Sequence, residues 1–167
     1  MARVEPKLAL RPFLPADAPL LAEIFRASVA ELTGDDYSAT QQEAWAAMAD
    51  DEAAFAARLA NSLTWLGTID GAPVGFASLA GVERIEMLYV HPAAAGQGVG
   101  TMLIDALEML AGSRGAARLT ADVSDSAQEF FKRRGFAAKQ RNSVPLGNEW
   151  LANTTMEKRL AAKERAQ

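Results

Sequence analysis

A chain of 167 residues, half of them apolar and 23% charged, is long enough to bury about two thirds of its unfolded surface in one packed domain without a covalent staple. Its formal charge of -4 lacks the basic excess that a phosphate-backbone binder needs, and no cysteine with one histidine leaves neither a thiolate nucleophile nor a set of transition-metal ligands. No run of about 18 apolar residues and no signal-peptide core before Pro12 occurs, so nucleic acid, metal and membrane are not expected as partners and a cytoplasmic location is.

Leu8, Leu10 and Pro12 alternate with Ala9 and Arg11, the period of a short strand, which Pro12 and Pro15 close. From Ala16, the residues Leu20, Leu21, Ile24, Phe25 and Val29 recur at helical spacing, with Asp17, Glu23 and Arg26 on the polar face and Gly34 at the end. The alanine-rich stretch up to Asn61, with Trp45, Met48, Phe55 and Leu59 as its larger apolar residues, predicts one or two more helices. Two apolar runs then meet at Asp70-Gly71, a dipeptide that accepts the positive φ angles of a tight hairpin turn.

RIEMLYV, residues 84–90, predicts the next strand. The loop HPAAAGQG follows, then a helix with Leu103, Ala106, Leu107 and Leu110 on one face, closed by Gly112 and Gly115. Leu119, Ala121 and Val123 alternate against Thr120 and Asp122, which predicts another strand. Ser126 and Glu129 have the spacing of a capping box for a short helix stopped by Gly135. Residues 136–144 and 154–160 predict two last strands about a PLGNEW turn, and KERAQ a frayed tail. This order is mixed α/β in a single domain over 1–167, the sheet mostly antiparallel and flanked by helices.

The run Ala95-Gly96-Gln97-Gly98-Val99-Gly100-Thr101 joins a strong strand to a strong amphipathic helix. Three alternate glycines leave backbone N–H groups uncovered, and the helix start adds free amides and partial positive charge, so a diphosphate fits here. Taken alone, the glycines serve equally well to ease packing at a helix start. A dinucleotide fold is a rival, because Asp122 ends the next strand about 22 residues on. Against it, the third glycine position falls on Thr101 and HPAAA separates strand from glycines; a P-loop would need a following Lys-Ser/Thr.

LYVHPAAAGQGVGTMLIDAL resembles the acyl-CoA-binding motif of the GNAT N-acetyltransferase superfamily, and SDSAQEFFKRRGF resembles its second motif at the expected distance. More weakly, the resemblance runs over nearly the whole chain, and the element order is also the GNAT order. It implies an acyltransferase that uses acetyl-CoA as co-substrate, needs no metal, and acetylates a primary amine on a small molecule or peptide. Many relatives form homodimers.

By the same resemblance the pyrophosphate lies on the amides of Gly96, Gln97, Gly98, Val99 and Gly100 and on Thr101, although Ala95 stands where Gln or Arg is usual. The pantetheine arm would run along Leu88, Tyr89 and Val90, with Ser124, Ala127, Phe130 and Phe131 completing the cofactor site. The Leu88 N–H would polarise the thioester carbonyl. Glu86, placed by strand parity on the face of Leu88 and Val90, is the candidate base, its alternative being an exposed strand carboxylate.

Phe131 stands where many members carry the tyrosine that protonates the leaving thiolate, so water or Ser124 would substitute, or the chain binds acyl-CoA without turnover. Tyr37 and Trp45 fall where the family walls its acceptor pocket, with core filling as the alternative. His91 is expected to fix the loop, and Asn142 and Asn153 to serve turn or strand-end roles. Amino acid, polyamine, aminoglycoside and protein N-terminus all remain open as acceptors.

Overall fold

The computed structural model describes residues 4–161, so the predicted tail KERAQ lies outside the described residues. The chain order is β1 (Leu8–Pro12), α1 (Ala18–Leu32), α2 (Ala39–Ala46), α3 (Glu52–Asn61), β2 (Leu63–Ile69), β3 (Ala72–Ala80), β4 (Arg84–Val90), α4 (Val99–Ser113), β5 (Arg118–Ser124), α5 (Gln128–Arg133), β6 (Ala137–Leu146) and β7 (Glu149–Arg159). The seven strands form one sheet in the order β1-β2-β3-β4-β5-β7-β6. Every pairing is antiparallel except β4 with β5.

Local signals account for much of this. Asp70 and Gly71 take φ of 50° and 84°, the positive pair that a two-residue hairpin turn between β2 and β3 requires. The helical stripe of α1 buries Leu21, Ile24, Phe25 and Val29, and α3 adds Phe55 and Leu59; together they cover Leu66, Phe76 and Met87 on one face of the sheet. On the other face, α4 packs Leu103, Ile104 and Leu107 over Ala77, Leu79, Ile85 and Leu119, beside Phe131 and Phe136. Each fully buried aliphatic side chain contributes about 1.5–3 kcal/mol, so the two helical layers hold the sheet from both sides. No helix among the described residues is long and apolar enough to cross a membrane.

Three local expectations are corrected. The PLGNEW turn contracts to Gly147-Asn148, because Pro145 is tolerated in β6, an edge strand whose outer side needs no N–H donor. Gly112 lies within α4 and Gly115 alone follows its end. The capping box at Ser126 does not form: the Ser126 hydroxyl donates to Asp36 at 2.8 Å, and Ser124 Oγ instead accepts from the Ala127 N–H at 3.2 Å.

Two irregularities of β4 matter most. Its register with β3 passes from Leu79↔Ile85 to Ser78↔Met87, which leaves Glu86 as an extra residue and reverses the inside–outside alternation. Its pairing with β5 stops after Arg84↔Thr120 and Ile85↔Ala121, while β5 continues against β7 as far as Ser124↔Asn153. The two central strands therefore part beyond Ile85.

The start of α4 sits close against β2 and β3 because both strands carry glycine there. A Cβ on Gly67 would lie 2.8 Å from Val99 Cγ1, and one on Gly75 would lie 3.0 Å from the same methyl. Gly67→Val is expected to cost about 1–3 kcal/mol of overpacking, read as a lower urea midpoint. Gly112→Ala, facing open space in a helix, should raise stability by about 0.5–1 kcal/mol in the same assay.

Candidate active site

The His91 N–H donates to the Val74 carbonyl at 2.7 Å, which sets the hydrogen-bonding phase of β4 on β3. Antiparallel alternation then pairs Tyr89 with Phe76 and Met87 with Ser78, and turns the N–H and C=O of Leu88 and Val90 away from β3. They face the gap that β5 has vacated. A cavity of about 260 Å³ fills that gap, bounded by Leu88, Val90, Gly100, Ser124, Ala127 and Phe130. Its backbone edge can pair with an extended, amide-bearing ligand arm.

At one mouth of the gap stands the first turn of α4. Met102 is the first residue to donate within the helix, to Gly98 at 3.0 Å, and no side chain caps the end. The amides of Val99, Gly100 and Thr101 thus have no intrahelical partner, and the positive end of the helix dipole faces out with them. Gly96 and Gly98 hold φ of 78° and 88°, which the loop needs to turn into the helix with its amides uncovered. Val99 is only 1% exposed, so it can offer its amide but not its side chain. His91 Nδ1 accepts from the Ala93 N–H at 3.1 Å, and Gln97 Nε2 donates to the Ala93 carbonyl at 3.3 Å; His91 fixes the loop, as expected.

The sequence reading missed Arg134 beside this turn. Its guanidinium lies 3.7 Å over the Phe130 ring, donates to the Phe130 carbonyl at 3.1 Å and contacts the Thr101 hydroxyl, while its buried Nε has no partner. A fixed cation thus supplements the helix end. The signal was present in KRRGF, the close of the second motif.

Glu86 is held from the other side of the sheet. Arg58 donates to Oε1 from Nε (3.3 Å) and Nη2 (3.2 Å), and the Ser62 hydroxyl donates to Oε2 at 2.7 Å. Arg58 and Ser62 lie at the end of α3, on the face where Met87 packs, whereas Leu88 and Val90 pack toward α4. The parity that put Glu86 on the face of Leu88 and Val90 is overturned by the bulge. Tyr89 also differs from expectation: its backbone is committed to β3, and its ring packs against Phe25 (4.7 Å between centroids) and Phe76 (5.7 Å). Burial pushes its phenol pKa up, and Trp45 Nε1 donates to its hydroxyl at 3.3 Å.

A second cavity, about 220 Å³, opens on this face between the helices and the β6–β7 hairpin. Tyr37 and Trp45 both line it. The Tyr37 hydroxyl is fully engaged, donating to Ala152 at 2.6 Å and accepting from the Asp125 N–H at 2.9 Å, so Tyr37 also fastens this wall to β7 and the β5–α5 turn. Asn142 and Asn153 bond each other across β6 and β7 at 2.9 Å. The two cavities share Trp45, Glu86, Met87, Tyr89, Asp122 and Ser124, so they meet at a window between the parted strands. Phe131, 5% exposed and edge-on to Phe136 at 5.0 Å, borders the first cavity with no hydroxyl to offer. Among the described residues, no three His, Asp or Glu side chains converge on a metal position.

Residues 33–160 match the family model of the acetyltransferase (GNAT) domain. The chain belongs to the GNAT superfamily. It is 33% identical over 150 residues to the uncharacterized N-acetyltransferase YafP of Escherichia coli K12, across 89% of this chain and 94% of that protein. The crystal structure of a GCN5-related N-acetyltransferase from Rhodopseudomonas palustris superposes with a TM-score of 0.91 at 62% identity, over 96% of this chain and 99% of that one. PaiA N-acetyltransferase of Thermoplasma acidophilum, solved with coenzyme A, shares the fold at a TM-score of 0.77 and 18% identity, over 92% and 99% of the two chains. The dinucleotide alternative falls with the topology, because only one strand pair of this GNAT sheet is parallel.

In this GNAT domain, Gly98→Val would force a branched side chain, its Cβ 3.7 Å from Leu8 Cδ1, onto a loop position whose φ is 88° and would disturb the turn that presents the amides. Its positive φ adds about 1–2 kcal/mol of backbone strain, a Tm decrease of roughly 2–8 °C. Affinity for CoA, measured by calorimetric titration below that Tm, should fall at least about tenfold, or 1.4 kcal/mol. Unchanged affinity removes the loop from the site.

Proposed function

We propose that the protein transfers acetyl from acetyl-CoA directly to a primary amine. The observation that carries this reading is the meeting of two cavities at a window in the sheet. One presents an uncovered strand edge and an uncapped helix end; the other presents a carboxylate held by Arg58 and Ser62. The pyrophosphate would rest on the amides of Gly98 to Thr101 near the Arg134 guanidinium. Pantetheine would pair with Leu88 and Val90, which brings the thioester to the window.

In the reaction the amine nitrogen attacks the thioester carbonyl carbon, a C–N bond forms, and the C–S bond breaks with its electron pair leaving on sulfur. The Leu88 N–H stabilises the oxyanion in between, a contribution of about 3 kcal/mol where such donors have been removed. Glu86 takes the proton of the acceptor ammonium, directly or through one water. The second N–H proton, released as the tetrahedral intermediate collapses, passes through water or the Ser124 hydroxyl to the CoA thiolate, the conjugate base of a thiol with an ordinary pKa near 8.5. Ser124 Oγ accepts from the Ala127 N–H, which leaves its own hydrogen free to donate. With no cysteine in the chain, no thioester on the enzyme is required.

Mixing the protein with acetyl-CoA, a panel of amines and a thiol reagent should reveal free CoA; no release with any amine, despite tight CoA binding, defeats the proposal. Glu86→Gln should lower kcat/KM by about 10²-fold, since positioned bases contribute 10²–10⁴. The buried Phe131 favours a second reading, a domain that binds acyl-CoA without turnover. Phe131→Tyr decides between them: a rise from near zero marks a lost proton donor, whereas an active parent that gains nothing marks a donor elsewhere.

A further inference from the structure

The acceptor cavity has an uneven distribution of charge. Glu86 and Asp122 stand at the window it shares with the cofactor gap, one on each parted strand. Asp122 accepts from the Thr155 hydroxyl at 2.7 Å and has Arg84 at 3.9 Å, with its side chain about half exposed, so it keeps room for another cation. Beyond the window the walls are Phe25, Met48, Met87, Val144, Leu146 and Leu151, and the remaining charged group in the lining is Arg58.

Resting on the acetyltransferase reading, we propose that the acceptor is a compact primary monoamine with an apolar arm, aliphatic or aromatic. The ammonium lies at the window between Glu86 and Asp122, and the arm extends among the apolar side chains toward the β6–β7 hairpin. A polyamine would carry a second ammonium into walls that offer it no anion and place a guanidinium nearby, where an unpaired buried charge is costly. An amino acid would bring its carboxylate toward Glu86 and Asp122, while Arg58 is already committed through Nε and Nη2 to Glu86. At about 220 Å³ the cavity lies below the range of roughly 300–1,000 Å³ for drug-sized ligands, a size that suits a compact amine better than an aminoglycoside.

The test uses matched pairs that differ by one charged group: hexylamine against 1,6-diaminohexane, and phenethylamine against phenylalanine. With acetyl-CoA saturating, kcat/KM for each monoamine should exceed that of its partner by at least about tenfold, one 1.4 kcal/mol step. Fluorescence titration of the CoA-loaded protein, with Trp45→Phe as the control that isolates the cavity signal, should give the same order without requiring turnover. Leu146→Glu, which adds an anion on the hairpin side, should shift the preference toward 1,6-diaminohexane. Turnover with the diamine, phenylalanine or a peptide at or above the monoamine rate overturns the inference and leaves the acetyltransferase reading standing. Monoamine binding in the predicted order without CoA release has the converse effect. Failure of every amine to bind the CoA-loaded protein overturns the inference.

Discussion

The separation of β4 from β5 after two residue pairs is the constraint on which the rest of the molecule depends. A continuous parallel pairing would consume the N–H and C=O groups of Leu88 and Val90 and seal the sheet. Because the strands part, a polar backbone edge is left inside an otherwise apolar interior, a situation proteins tolerate only where water or a ligand completes the hydrogen bonds. β5 can leave β4 because β7 holds its other edge along its whole length. Helices on both faces close the gap into a passage and prevent it from collapsing.

That passage orders the chemistry along one line. The positive end of α4 and the Arg134 guanidinium lie at one mouth, the strand edge in the middle, and a carboxylate framed by aromatic and aliphatic side chains at the other end. Under the proposed reaction, an anionic, extended co-substrate and a cationic acceptor would approach from opposite faces of the sheet, and each would meet complementary charge before the two met each other. The close fit of Val99 against Gly67 and Gly75 keeps the anion end in register with the strand edge.

What could be read from the sequence followed the range of the interactions. The hairpin at Asp70-Gly71, the stripe of α1, the alternation of β5 and the glycine loop are set by neighbours a few residues apart, and all were legible. The face of Glu86 was not, because its bulge is a matter of register against β3. Nor were its partners, since Arg58 and Ser62 approach from 28 and 24 residues away and nothing in an alanine-rich helix marks them. Tyr37 lines the second cavity, but its bonds to Ala152 and the Asp125 N–H join residues 115 and 88 positions apart, beyond the reach of any local pattern. Ser126 misled for the opposite reason: a local capping pattern yielded to a distant acceptor, Asp36.

The hold of Arg58 and Ser62 on Glu86 divides responsibilities between the two faces of the sheet. The residues that aim the carboxylate belong to α3, whereas those that would grip the co-substrate belong to β4, α4 and α5. Substitutions along α3 can therefore re-aim the Glu86 carboxylate while the other layer stays as it is. Such a molecule can drift among acceptors over evolutionary time, one helix at a time, and keep its acyl donor throughout.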